Sequence, residues 1–255
     1  MRWRVEISDV AGNDRLLREV LGELSIDSLD EQDARFLFGA PFEILDTAGD
    51  VHALVSRLQS IVEEVGKQDS EIGLSFKVGN VFEKSKDGAW RKHAFLVAEP
   101  GRYEITGHAA TLKVEPSVDL SEDERKRLEE EHQEREYQQL RRKAILRVVP
   151  AFRDDRALQV QRLLQGDLTP QTMGHIADLI QDDIGGAMRD LISGNQLTRF
   201  YRSINHPDVF GEHARHIVSN VEPPPNPMSL GEARQFIRDL ATRWLERKAG
   251  LHGNA

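Results

Sequence analysis

Residues 121–143, SEDERKRLEEEHQEREYQQLRRK, carry 15 charged side chains in 23 positions. Such a run cannot fill a core, because unpaired charges are too costly to bury. It can be helical only if its own surface supports the helix, and its charges are ordered to do so. Glu122 and Lys126, Asp123 and Arg127, and Glu131 and Arg135 are acid-before-base pairs four residues apart, which stabilise a solvated helix. Ser121 and Glu124 make a capping-box pattern at its start. Leu128 alone interrupts the first half, and an apolar stripe follows Tyr137 at Leu140, Ala144, Val148 and Ala151. The spacing predicts one long helix that begins in solvent and ends in a core, with Pro150 expected to kink or end it. The chain therefore divides into residues 1–117, a charged connecting helix over 118–150, and residues 151–255.

The first part reads as α+β. Trp3, Val5 and Ile7 alternate with Arg2, Arg4 and Glu6, the period of a half-buried strand. RFLFGAPFEIL at 35–45 reads as a strand broken near Gly39 or Pro41. Val51, Leu54, Val55, Leu58, Ile61, Val62 and Val65 share one helix face, with Thr47 and Asp50 at the cap and Gly66 at the end. Leu74, Phe76 and Val78 alternate, Asp87-Gly88 turns, Phe95 and Val97 alternate, and Pro100-Gly101 turns again. With Tyr103, Ile105, Leu112 and Val114 these predict an antiparallel meander, one face covered by the 47–65 helix.

The last part reads as an all-α bundle. Thr169 caps a helix with Pro170 at its first position. Met173, Ile176, Ala177, Ile180 and Ile184 line its buried face, and Gly185-Gly186 stops it. Ser229 and Glu232 box the start of the final helix, whose stripe is Leu230, Ala233, Ile237, Leu240, Ala241 and Trp244. The connector before it, EPPPNPM at 222–228, is biased to polyproline geometry.

Composition narrows the function. There are no cysteines, so thiolate metal sites and cysteine nucleophiles are excluded. A net charge of -9 argues against a generic polyanion binder. No apolar run reaches membrane-span length, and MRWRVEISDV enters strand alternation with no secretory pattern; the expectation is a cytoplasmic protein without membrane contact. GxxxxGK[ST], GxGxxG and GxSxG are all absent.

Candidate chemistry gathers in RFYRSINHPDVFGEHARHI, residues 199–217. Metal-free RNA cleavage needs a proton-transfer group and a cation to stabilise the phosphorane, which a histidine and an arginine supply. Arg199 and His206 are seven apart, two turns along one helix face if the helix is continuous, although Pro207 marks a break. Arg215 and His216 are adjacent and diverge under helical geometry. His213 and His216 share a face if 211–218 is helical, but two histidines are an incomplete metal site. No metal or cofactor is expected. A basic excess at Arg141, Arg142, Lys143 and Arg147 is a candidate RNA contact, or a solvated face balancing the acidic run.

Gly211, Ala214-Arg215-His216, Pro223-Pro224, Pro227-Met228-Ser229-Leu230, Glu232-Ala233 and Trp244-Leu245 carry a resemblance over roughly residues 145–248. This part resembles the HEPN superfamily. It is also similar to an uncharacterised bacterial family with the run ARH…PPxPMSLxEA…WL, a likeness that brings no activity with it. HEPN ribonucleases carry an arginine, then four to six residues, then a histidine, and pool two such motifs in a dimer. Arg199 to His206 meets the outer limit of that spacing but has Phe200 where a polar residue belongs. Arg202 is one residue too near His206, and Val209, Phe210 and Gly211 occupy the matching places before His216. The resemblance implies a homodimer in bacterial stress response or phage defence. The expected function is a non-catalytic interaction and dimerisation protein. The alternative is a metal-independent endoribonuclease using Arg199, His206, Arg215 and His216 across the dimer.

Overall fold

A computed structural model of the protein describes residues 1–31, 34–95, 122–216 and 222–251. The fold is α+β. Two compact units divide the chain: the first holds residues 1–59 and 70–142, the second residues 60–69 and 143–255.

The first unit contains β1 (Trp3–Ala11), α1 (Asp14–Glu23), β2 (Ile26–Glu31), β3 (Ala34–Gly39), α2 (Ala40–Glu43), the first part of α3 (Ala48–Gln68), β4 (Ser75–Lys84) and β5 (Trp90–His93). The strands form one antiparallel sheet in the order β2-β3-β1-β4-β5. Val5 lies between Leu37 and Val81 in the ladder. These three, with Trp3 and Ile7, are buried, so the alternation read from β1 sets the core face. Val51, Val55 and Leu58 of α3 are buried with them, and Gln59 Oε1 accepts from Val78 N. Thr47 and Asp50 cap α3 reciprocally, Thr47 Oγ1 accepting from Asp50 N at 3.1 Å. The helix runs past Gly66 to Gln68.

The strand expected over 35–45 ends at Gly39, and Pro41 falls in the first turn of α2. The 13–31 segment adds α1 and edge strand β2. Gly12, at φ +90°, makes the turn into α1 where a Cβ would stand 2.5 Å from Gly73 O. Asn13 then caps the helix. Strand β5 stops at His93, so Phe95 follows the strand. Val97, Pro100-Gly101, Tyr103, Ile105, Leu112 and Val114 lie outside the described residues, as does Ser121. On the opposite face of the sheet Arg4 sits among three rings, its guanidinium carbon 4.2 Å from the Phe36 centroid, 4.4 Å from Trp90 and 5.2 Å from Phe82.

Helix α4 (Glu122–Arg153) realises the charged run. Residues 122–136 are exposed, and burial begins near Ala144. Residues up to Arg142 belong to the first unit, where Tyr137 Oη donates to Glu19 at 2.9 Å and Arg141 pairs with Glu19 and Glu23. Burial and the Glu19 carboxylate push the Tyr137 phenol up to about 12. Pro150 does not end α4, which continues to Arg153.

The second unit adds α5 (Asp155–Gln165), α6 (Pro170–Ile184), α7 (Met188–Leu191), α8 (Gly194–Asn205), α9 (Pro207–Phe210) and α10 (Leu230–Ala249). Its core joins Met173, Ile176, Ala177 and Ile180 of α6 to Ala233, Ile237, Leu240, Ala241 and Trp244 of α10, all fully buried. Thr169 Oγ1 caps α6, and α10 has the full capping box of Ser229 and Glu232. A polar seam closes one end. Asp183 accepts from Trp244 Nε1 at 2.9 Å and pairs with Arg156 and Lys248, while Lys248 also reaches Asp154, the cap of α5. Among the described residues no helix is long and apolar enough to cross a membrane.

Candidate functional site

Helix α8 has two working faces. Phe200 and Ile204 are fully buried, and Phe200 stacks on Phe236 at 4.6 Å between centroids. The ring that departs from the HEPN pattern is thus a core residue. On the other side, Arg199, Arg202 and Ser203 bind the backbone of the proline connector. Arg199 Nε donates to Asn226 O at 2.6 Å, and its Nη2 reaches Pro227 O and Glu232 Oε1, both at 3.3 Å. Arg202 Nη2 donates to Glu222 O at 2.8 Å. Ser203 Oγ donates to Arg199 O at 2.7 Å and accepts from Met228 N at 2.9 Å. Prolines present carbonyls without N–H groups, so an arginine-rich helix face is a matched donor surface for this connector.

The helix ends before His206 reaches it. Pro207 disfavours helical geometry in the preceding residue, and His206 is extended at φ -97°, ψ 122°. The two-turn alignment of Arg199 with His206 needs a continuous helix, and α8 stops at Asn205. His206 instead caps α9, with Nδ1 accepting from Asp208 N at 3.2 Å, and the residue is buried. While Nδ1 accepts, the proton of the neutral ring sits on Nε2. The Nδ1 lone pair is thus engaged by the Asp208 amide in a cap.

Arg215 belongs to a second cluster. Its N donates to Ile204 O at 2.8 Å, and its guanidinium binds Asp178 of α6. The side chain crosses Gly174, where a Cβ would stand 2.6 Å from Arg215 Cδ. Tyr201 Oη donates to Asp178 at 3.3 Å and Gln181 at 3.2 Å. Burial, then the Asp178 charge, raises the Tyr201 phenol far above its ordinary value. Gln171 Nε2 donates to Ala214 O at 3.1 Å.

His216 is exposed, as is His213 in the short 3-10 turn Gly211–His213. The 211–216 stretch is therefore not the α-helix on which their shared face depends; residues 217 and 218 lie outside the described residues. Among the described residues no three His, Asp or Glu side chains are gathered to hold a metal ion. Arg215 and Tyr201 meet at Asp178, whereas Arg199 is drawn to the connector and Glu232.

The basic stretch is internally balanced. Arg141 pairs with Glu19 and Glu23, Lys143 with Asp69 at 2.6 Å, and Arg147 with Asp69 at 3.4 Å. Burial depresses the Arg147 pKa. Arg142 also has an interaction partner.

Asp178, Tyr201, Ser203 and Glu232 complete these clusters and were not read as site residues. Gly174 four residues before Asp178 is a faint signal, a missing side chain one turn from an acid on one face. Nothing in the sequence ties it to Arg215. Comparison with known proteins adds no relative to this geometry: no protein-family model, curated protein or solved structure matches the chain.

Proposed function

We propose that the protein is a cytoplasmic, non-catalytic interaction and dimerisation protein whose second unit is a HEPN-like binding module, working in bacterial stress response or phage defence. The observation that carries this reading is the commitment of Arg199. Its guanidinium is taken by two connector carbonyls and by Glu232, the capping-box carboxylate of α10. A cation held by an acid inside a junction is poorly placed to stabilise a phosphorane. The capping role of His206 and the Asp178 partner of Arg215 support the same reading. The cluster then acts as a fastener that keeps the last helix and its connector in register.

The test uses purified protein and total RNA with a chelator present. Wild type and the His206→Ala/His216→Ala variant are both expected to leave the RNA intact. Cleavage by wild type that disappears in the variant would replace this proposal with the ribonuclease. Light scattering at micromolar concentration is expected to give a dimer; a monomer would remove the dimerisation claim.

A further inference from the structure

Among the described residues, one group of cations without a carboxylate ion pair borders a concavity. The end of the β4–β5 hairpin borders a groove of about 460 Å3 lined by Arg2, Glu83, Lys84, Ser85, Lys86 and Arg91. Arg2 is fixed by Asp46 O at 3.0 Å and by Glu83 at 3.0 Å. The one acid in the lining is therefore already matched. Asp87, the other acid of the hairpin, turns into its own loop, where Ser85 Oγ and Ala89 N donate to it. Arg91 acts on it as a weaker, longer-range charge. Lys84, Lys86 and Arg91 form no carboxylate ion pair among the described residues, and all three are exposed. Three exposed cations with no direct carboxylate ion pair, around one concavity in a chain of net charge -9, make a local positive well.

We propose that this groove binds a compact polyphosphate anion, with Lys84, Lys86 and Arg91 contacting its oxygens and Ser85 on the wall. Guanidinium and ammonium groups bind phosphate oxygens through short, charge-assisted hydrogen bonds.

The same surface fits single-stranded nucleic acid poorly. Base stacking needs an open ring, and Trp90 already has Arg4 at 4.4 Å and Lys84 at 5.8 Å from its centroid. A backbone track would also need cations along the sheet, whereas the far edge strand β2 carries Asp27, Asp30 and Glu31. The charge is focused on one hollow, which suits a small, highly charged ligand. This inference is independent of the reading of the second unit.

Calorimetric titration with tripolyphosphate at low ionic strength tests it. Wild type is expected to bind at one site. Lys86→Ala/Arg91→Ala is expected to bind about a hundredfold more weakly, roughly tenfold for each lost cation. Lys86→Arg/Arg91→Lys should stay within a few-fold of wild type, which separates charge from folding. A control that removes two α4 cations, Lys126→Ala/Arg127→Ala, should bind as wild type does. Absence of wild-type binding, equal weakening by the control pair, or tighter, length-dependent binding of single-stranded RNA would each overturn the proposal.

Discussion

Gly174 is the residue whose substitution speaks most directly about the Arg/Asp cluster. Replacing glycine by alanine inside a helix ordinarily stabilises by about 1 kcal/mol. Here the new methyl would press on Arg215 Cδ, and Arg215 is pinned at its far end by Asp178. Gly174→Ala is expected to destabilise the protein by about 1–3 kcal/mol, measured by urea unfolding. In an Arg215→Ala background the same change should become neutral or stabilising; a cost that persists there would disprove the steric account. Residue-scale legibility was uneven. Pro207 announced the break after α8, because a proline acts on its neighbour's backbone whatever the fold. The partners of Arg199 and Arg215 were hidden, because Asn226 O, Glu232 and Asp178 lie between 27 and 37 positions away and carry no local pattern.

At the scale of elements, caps and stripes were the readable features. Thr47, Thr169 and Ser229 each cap the helix their spacing promised. Ser229→Ala removes one arm of the α10 box and should cost about 1 kcal/mol, seen as a lower denaturation midpoint with an unchanged slope. Because Glu232 also holds Arg199, Glu232→Ala should cost more than Ser229→Ala; the reverse order would argue against the fastener. Pro150 was harder to place. It removes a donor, yet its ring is buried with Val148, Val149 and Ala151 in the core, and packing keeps the helix going to Arg153. Strand β2 was illegible for a physical reason: IDSLDE buries Ile26 and otherwise faces solvent or is half-covered, as edge strands do, so it shows no alternation. Helix α1 differs. Leu16, Leu17, Val20, Leu21 and Leu24 make a buried stripe at helical spacing.

At the scale of the second unit, the Lys248 seam makes stability depend on acid. Burial raises the pKa values of Asp154 and Asp183, but hydrogen bonds from Lys248 and other donors outweigh it and leave both below the ordinary 3.8. Their contribution is present above pH 3.8 and is lost as pH falls through the lowered values. Lys248 is raised above 10.5 by the same two carboxylates against the opposing effect of burial, so its share is lost only as pH rises through that higher value. Lys248→Met is expected to cost about 1–3 kcal/mol at neutral pH, discounted because the seam is partly exposed. The cost should shrink near pH 3; an equal loss at both pH values would show that Lys248 acts through packing. The α+β architecture and helical second part were legible because periodicity and caps are local, whereas seams of this kind join distant residues. The proline connector has one more consequence. Between residues 223 and 228 only Asn226 and Met228 have an amide hydrogen, and the Met228 amide is buried against Ser203 Oγ. Hydrogen–deuterium exchange at that single amide therefore reports whether the junction opens. Exchange as slow as that of the α10 core amides would mean that the connector is released only when the whole unit unfolds; faster exchange would reveal a local opening with its own free energy.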